Sequence, residues 1–204
     1  MNNAFGVVAE FERRVAEYAG SRYAVAVDCC TNALFLCMKY MRVESGPPVR
    51  VPCRTYVSVA MAVLHAGGTL LLEDRPWKGV YQLKPYPIFD GAKRFRRGMY
   101  EGGLHTLSFH TKKILNIGRG GMVLTNDPDA AKWLKLSRYD GREERHYGAS
   151  DIKTLGWHMY MMPDQAARGL AILDTLKDDN EDQMEDYPDL RTMPVFSIAN
   201  QEAA

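Results

Sequence analysis

The chain has 204 residues, enough to bury one substantial core with an appendage. Its 46% hydrophobic and 25% charged residues exclude a disordered polypeptide. With 26 basic and 25 acidic residues the formal net charge is +1, which excludes a general electrostatic pull toward nucleic acid or an anionic membrane.

Phe5 to Tyr18 reads as an amphipathic helix, with Phe11, Val15 and Tyr18 at helical spacing and Gly20 placed to stop it. Tyr23 to Val27 is a short apolar run of the kind that forms a buried strand. A turn at Asp28–Cys30 leads into a helix over Thr31 to Met41. Val49 to Pro52 reads as a strand, Tyr56 to His65 as a helix ending at Gly67 and Gly68, and Thr69 to Glu73 as a strand. This alternation predicts βαβ units and an α/β fold: three layers, a mainly parallel sheet flanked by helices. Ligands of such sheets sit at the carboxyl ends of the strands.

Arg75 to Pro87 contains three prolines and reads as a connecting loop. Pro87 to Asp90, Leu104 to Phe109 and Met122 to Thr125 are further strands. Asp127 caps a helix that begins at Pro128, and Asp164 to Lys177 is the last helix. From Asp178 onward the chain is polar and reads as partly extended or loose. The domain reading is a large ligand-binding unit over 1–155 and a reduced C-terminal helical segment and tail over 156–204.

Two charge runs stand out. Lys93, Arg94, Arg96 and Arg97 are basic, and Asp178, Asp179, Glu181, Asp182, Glu185 and Asp186 are acidic. Each reads as a solvated face, and the basic run could also receive a phosphorylated substrate. Cys29, Cys30, Cys37 and Cys53 match neither a zinc pattern nor a disulfide framework. They read as reduced, mostly buried thiols, and no metal is expected. Charges at Glu10, Glu12, Arg13 and Arg14 interrupt any leader-like apolar run, and no stretch is long enough to span a bilayer. The expected location is the cytoplasm, with no membrane and no nucleic-acid partner.

Three segments carry possible chemistry. Asp28–Leu34 lies between a strand and a helix, where free amides and the helix dipole suit a phosphate and Thr31 adds a hydroxyl. The same residues also suit plain capping by Thr31 or Asp28. Asp90 ends a strand, either as an exposed loop acid or as the partner of a cationic ring nitrogen. Ser108–Lys113 follows a strand with Ser108 and His110 on one face. Lys112 or Lys113 there is either a solvated turn lysine or a reactive amine.

In order, these segments resemble the DegT/DnrJ/EryC1/StrS family of pyridoxal-phosphate (PLP) sugar aminotransferases, which have fold type I. Tyr18–Gly20 and Tyr23–Val27 resemble the family's opening helix and strand, and Cys30–Leu34 its phosphate turn. Val51–Tyr56 and Met61–Gly67 continue the match. Asp90–Lys93 resembles the motif that begins with the pyridine-binding aspartate. Ser108–Lys113 resembles the motif that ends in the Schiff-base lysine, with Gly120–Val123 after it. Gly156–Met161 and Gln165–Leu170 resemble the approach to the small domain.

The resemblance implies that Lys113 binds PLP covalently as a Schiff base and moves protons, and that Asp90 holds the pyridine nitrogen. It implies that Tyr56 stacks on the ring and that Thr31, Asn32 and Ser108 hold the phosphate, with His110 alongside. Lys93 stands where a Gln or His often meets the phenolic oxygen. His158 stands where an Asn often reaches a neighbouring subunit's phosphate, which makes His158 and Tyr160 candidates for a segment shared across a homodimer. Arg119 replaces a common Glu. The substrates so implied are an amino-acid donor, glutamate first, and a keto-sugar nucleotide. The alternatives are a PLP enzyme of another reaction type, such as a dehydratase or one acting on a modified nucleobase or amino acid, and a non-catalytic binding or scaffold homologue. Family members are much longer: the stretch between Glu73 and Pro87 is too short for their usual strand–helix units, and most of the small domain lacks a counterpart.

Overall fold

The computed structural model describes residues 4–145, 148 and 151–196. Helix α1 spans Gly6–Ala19, and its buried face carries Val8, Phe11, Val15 and Ala19 at intervals of three and four. On the solvent face Arg13 pairs with Glu10 and Glu17. Gly20 closes the helix at φ 85°, a left-handed conformation that glycine adopts without the Cβ penalty, and its N–H returns to Ala16 O at 2.9 Å.

The remaining elements follow the expected alternation: β1 Tyr23–Val27, α2 Cys30–Tyr40, β2 Val49–Pro52, α3 Val57–His65 and β3 Leu70–Glu73. Next come β4 Tyr81–Gln82, β5 Ile88–Asp90, β6 Leu104–Ser108, β7 Gly121–Thr125, α4 Pro128–Ser137 and α5 Pro163–Leu173. Asp127 caps α4 by accepting from the N–H groups of Asp129 and Ala130. Helix α5 stops at Leu173, short of the expected Lys177.

The class is α/β, and the sheet is mixed. Five strands lie in the order β1-β7-β6-β5-β4, and β2 and β3 form a separate parallel pair. Strands β5 and β6 are parallel, whereas β1–β7, β6–β7 and β4–β5 are antiparallel. The expected loop over Arg75–Pro87 therefore holds the short strand β4. The same segment reaches β2, where Arg50 N–H donates to Lys84 O at 2.7 Å. It thus stitches the two sheets together.

Side chains alternate across the sheet and divide the core into two layers. Val25, Val27, Leu104 and Val123 pack toward α2, α3 and α4. Ala24, Ala26, Leu107, Met122 and Leu124 pack toward α1 and α5. Phe11 anchors the second layer, fully buried with its ring 5.4 Å from that of Phe109. Burying such a ring contributes roughly 2 kcal/mol. Gly169 of α5 lies against the Phe11 ring so closely that a Cβ would sit 2.5 Å from it.

One polar group interrupts the apolar face of α1. Glu12 is buried, accepts from Ala26 N–H at 2.9 Å and pairs with the buried Arg138 and with Lys135. Arg138 also donates to Ala26 O and to Glu144 at 2.8 Å. This clamp joins α1, β1 and the end of α4.

The C-terminal segment departs most from expectation. It is extended, but it is not loose, and the two charge runs are not separate solvated faces. Lys93 pairs with Glu185, Arg94 makes a two-pronged pair with Asp182 at 2.9 and 2.6 Å, and Arg97 pairs with Asp178. Gln183 N–H donates to Lys93 O at 2.9 Å, and Leu190 N–H to Cys53 O at 2.9 Å. Residues 178–190 are thus a strap laid across the basic run. Among the described residues no helix is long and apolar enough to cross a membrane.

Candidate active site

A cavity of about 310 Å³ opens where β5 and β6 end and α2 and α3 begin, with the strap as its outer wall. This is the strand-end position at which α/β sheets hold ligands, and the volume suits a small molecule. It brings together Thr31, Tyr56, Asp90, Lys93, Ser108, His110 and Lys113 from the sequence reading. Asn32 stays in the first turn of α2, where its amide donates to Asp28 at 2.7 Å. His158 lies outside the cavity, its imidazole 3.1 Å from Asp140 and 4.7 Å from the Tyr160 ring.

Helix α2 begins at Cys29 in extended backbone, with no side-chain cap from Thr31 or Asp28. The Thr31 hydroxyl instead meets that of Ser58 at 2.8 Å. An uncapped helix start with two adjacent hydroxyls is a natural seat for an anion. Strand β7 approaches this turn at Gly121, where a Cβ would come within 2.6 Å of the Cys29–Cys30 peptide. Cys29 and Cys30 are half-buried and line the cavity, whereas Cys37 and Cys53 are fully buried; all four are free thiols. Burial and the nearby Asp90 push the Cys30 thiol well above its ordinary range, so it stays protonated.

Asp90 is buried at the end of β5. One carboxylate oxygen accepts from Ala92 N–H at 2.9 Å and the other from the Tyr81 hydroxyl at 2.8 Å. Burial raises its pKa, and these two donors together with Lys113 and Lys93 work against that rise.

Lys113 sits in the turn after β6, where its N–H donates to His110 O at 2.9 Å. Among the described residues no hydrogen bond or ion pair engages its amine. Burial lowers its pKa, and the adjacent Lys93 lowers it further. Lys93 is itself buried and held by Glu185. The Tyr56 ring is 58% exposed at the cavity mouth, 6.4 Å from Tyr187, which in turn stacks on Trp77 at 6.2 Å.

Sequence reasoning missed six groups in or beside the cavity: Thr55, Ser58, Tyr81, Trp77, Glu185 and Tyr187. Tyr81 lay in a segment read as loop, and Glu185 and Tyr187 in one read as loose. Thr55 stood inside the Val51–Tyr56 motif and offered a signal that was available.

The donor set suits one kind of ligand. A buried carboxylate matches a cationic ring nitrogen, an amine of depressed basicity matches an electrophilic carbonyl, and hydroxyls at a helix start match a phosphate.

The model of the DegT/DnrJ/EryC1/StrS aminotransferase family matches residues 5–75 and 96–192. The intervening stretch that carries Tyr81, Asp90 and Lys93 lies outside the match. The chain is 30% identical over 211 residues to GDP-perosamine synthase of Caulobacter vibrioides, covering 82% of this chain and 56% of that protein. It is 26% identical to the spore coat polysaccharide biosynthesis protein SpsC of Bacillus subtilis, covering 84% and 57%. A solved DegT DnrJ EryC1 StrS aminotransferase from Brucella abortus superposes with a TM-score of 0.70 at 23% identity, covering 83% of this chain and 59% of that one. The chain thus spans little more than half the length of the relatives it matches. With the family pattern matched along most of its length, the chain belongs to the DegT/DnrJ/EryC1/StrS aminotransferase family.

Proposed function

We propose that the cavity binds PLP and that the chain takes part in amino transfer from an amino acid, glutamate first, to a keto-sugar nucleotide. The observation that carries the reading is the placement of Lys113 and the buried Asp90 on one cavity with the Thr31–Ser58 hydroxyl pair. The names of two relatives, a GDP-perosamine synthase and a UDP-4-amino-4,6-dideoxy-N-acetyl-beta-L-altrosamine transaminase, support the substrate class.

In this reading Lys113 holds the cofactor, Asp90 holds its ring nitrogen, and Thr31, Ser58 and Ser108 with the start of α2 hold its phosphate. PLP, when bound, supplies an electron sink for charge that develops at the substrate carbon. The chain's own residues do the rest. The Lys113 amine loses its proton at a lower pH than an exposed lysine, so it is available to accept and return one. The Asp90 carboxylate faces the ring nitrogen from a dry site, where its charge acts at low dielectric. Tyr56, Trp77 and Tyr187 form an apolar rim that limits water entry. A homodimer with His158 and Tyr160 near the neighbouring cavity belongs to the same proposal.

Borohydride reduction of the PLP-treated protein followed by peptide mapping tests the assignment. A pyridoxyl label on Lys113, absent in Lys113→Ala, is the expected result. No label, or a label unchanged in that variant, overturns it and moves a non-catalytic role forward.

A further inference from the structure

Tyr81 belongs to the short strand between the two sheets, outside the residues matched by the family model. Its hydroxyl is 2.8 Å from one Asp90 oxygen and 2.6 Å from Thr55 Oγ1, and all three residues are buried. The carboxylate has no proton to give, so the Tyr81 proton points to Asp90, and Thr55 must then donate to the Tyr81 oxygen. The order of donation is therefore fixed: Thr55 to Tyr81 to Asp90.

We propose that Tyr81, supported by Thr55, is a positioning residue that fixes the orientation and preserves the negative charge of Asp90 for a cationic ring nitrogen. The proposal deepens the PLP reading and rests on it. Three features carry it. The chain of hydroxyls ends on the carboxylate at the cavity floor. β4 pairs with β5 so that Tyr81 stands opposite Asp90, which locks the two side chains in register. Ala92 N–H holds the other oxygen, so both ends of the carboxylate are pinned. Burial and Asp90 push the Tyr81 phenol far above its ordinary range, so the donor keeps its proton at any working pH.

The test uses Tyr81→Phe and, as a second probe that leaves the ring in place, Thr55→Val. In the cofactor-free protein the Asp90 carboxyl is titrated by carbon NMR. The inference expects it to titrate at higher pH in Tyr81→Phe, and in the same direction but by less in Thr55→Val. In PLP titrations the affinity of Tyr81→Phe should fall about tenfold, the lower end of the range for a bond to a charged group. In an Asp90→Asn background Tyr81→Phe should cause no further loss. If Tyr81→Phe does not fold, the same comparisons with Thr55→Val decide. Unchanged Asp90 titration and PLP affinity in the folded variants overturn the inference. A wild type that binds no PLP sinks the cofactor reading instead, and the NMR titration still judges the hydroxyl chain.

Discussion

Lys93 and Glu185, 92 residues apart in sequence, form an ion pair on the wall of the candidate cofactor cavity. They act on Lys113 in opposite directions. After burial, Lys93 is the largest influence lowering the Lys113 pKa, and the Glu185 carboxylate pulls it upward.

Lys93→Met should therefore move the pH profile of PLP capture by Lys113 to higher pH, because the amine regains basicity. Glu185→Gln should move it to lower pH. Absorbance-monitored binding across a pH series reads both. Shifts of the same sign in the two variants would refute the electrostatic account.

Asp90→Asn should weaken PLP retention, leaving it measurable, while stabilising the fold at neutral pH. The sign follows from linkage. Burial raises the folded-state pKa above the usual 3.8, so the group's contribution to stability is present below that value and is lost as pH rises through its folded pKa. At neutral pH the ionised carboxylate is a net cost that Asn removes. Thermal melts should show the variant more stable at pH 7, with the difference shrinking toward pH 3.8.

The α/β class, the helices on the two faces and most strands were legible in the sequence because they depend on local periodicity and capping. Gly20, Asp127 and Pro128 mark helix ends by chemistry confined to a few residues. The Ser108–Lys113 and Cys30–Leu34 segments were legible for a similar reason, since each is a continuous run. Tyr81 was not, because a two-residue strand has no period and exists only through its pairing with Phe89 and Asp90. The strap escaped detection because opposite charges 81 to 92 residues apart give no sign in either run that they will meet. Asp182 and Glu185 read as solvated until Arg94 and Lys93 are placed beside them.

Glu12→Gln should destabilise the fold by about 3 kcal/mol, since it removes the more deeply buried of the two carboxylates that pair with Arg138 and leaves only Glu144. Burial acts to raise the Glu12 pKa, but Arg138 and Lys135 outweigh it and hold the group below 4.5. Its stabilisation is therefore present above pH 4.5 and lost as pH falls through the folded-state value. Chemical denaturation at pH 7 and pH 3 should show the gap between wild type and variant narrowing in acid.

Asp182→Asn should loosen the strap without unfolding the sheet. The lost pair with Arg94 contributes roughly 1.5 to 3 kcal/mol, so amide exchange over residues 178–190 should quicken by about tenfold. A melting temperature that drops sharply, with exchange rising everywhere, would mean that the strap is integral to the core.

The segment Tyr81–Lys84 works as a splint between two slabs. On one side it pairs with β5, and on the other Lys84 accepts the Arg50 amide of β2. Removing it would bare two strand borders at once, that of β5 and that of β2, each a template for strands of other molecules. The charged Arg50 and Lys84 already stand at this seam, where they discourage such pairing. Damage to the splint should thus make the protein self-associate while its helices and strands are still intact.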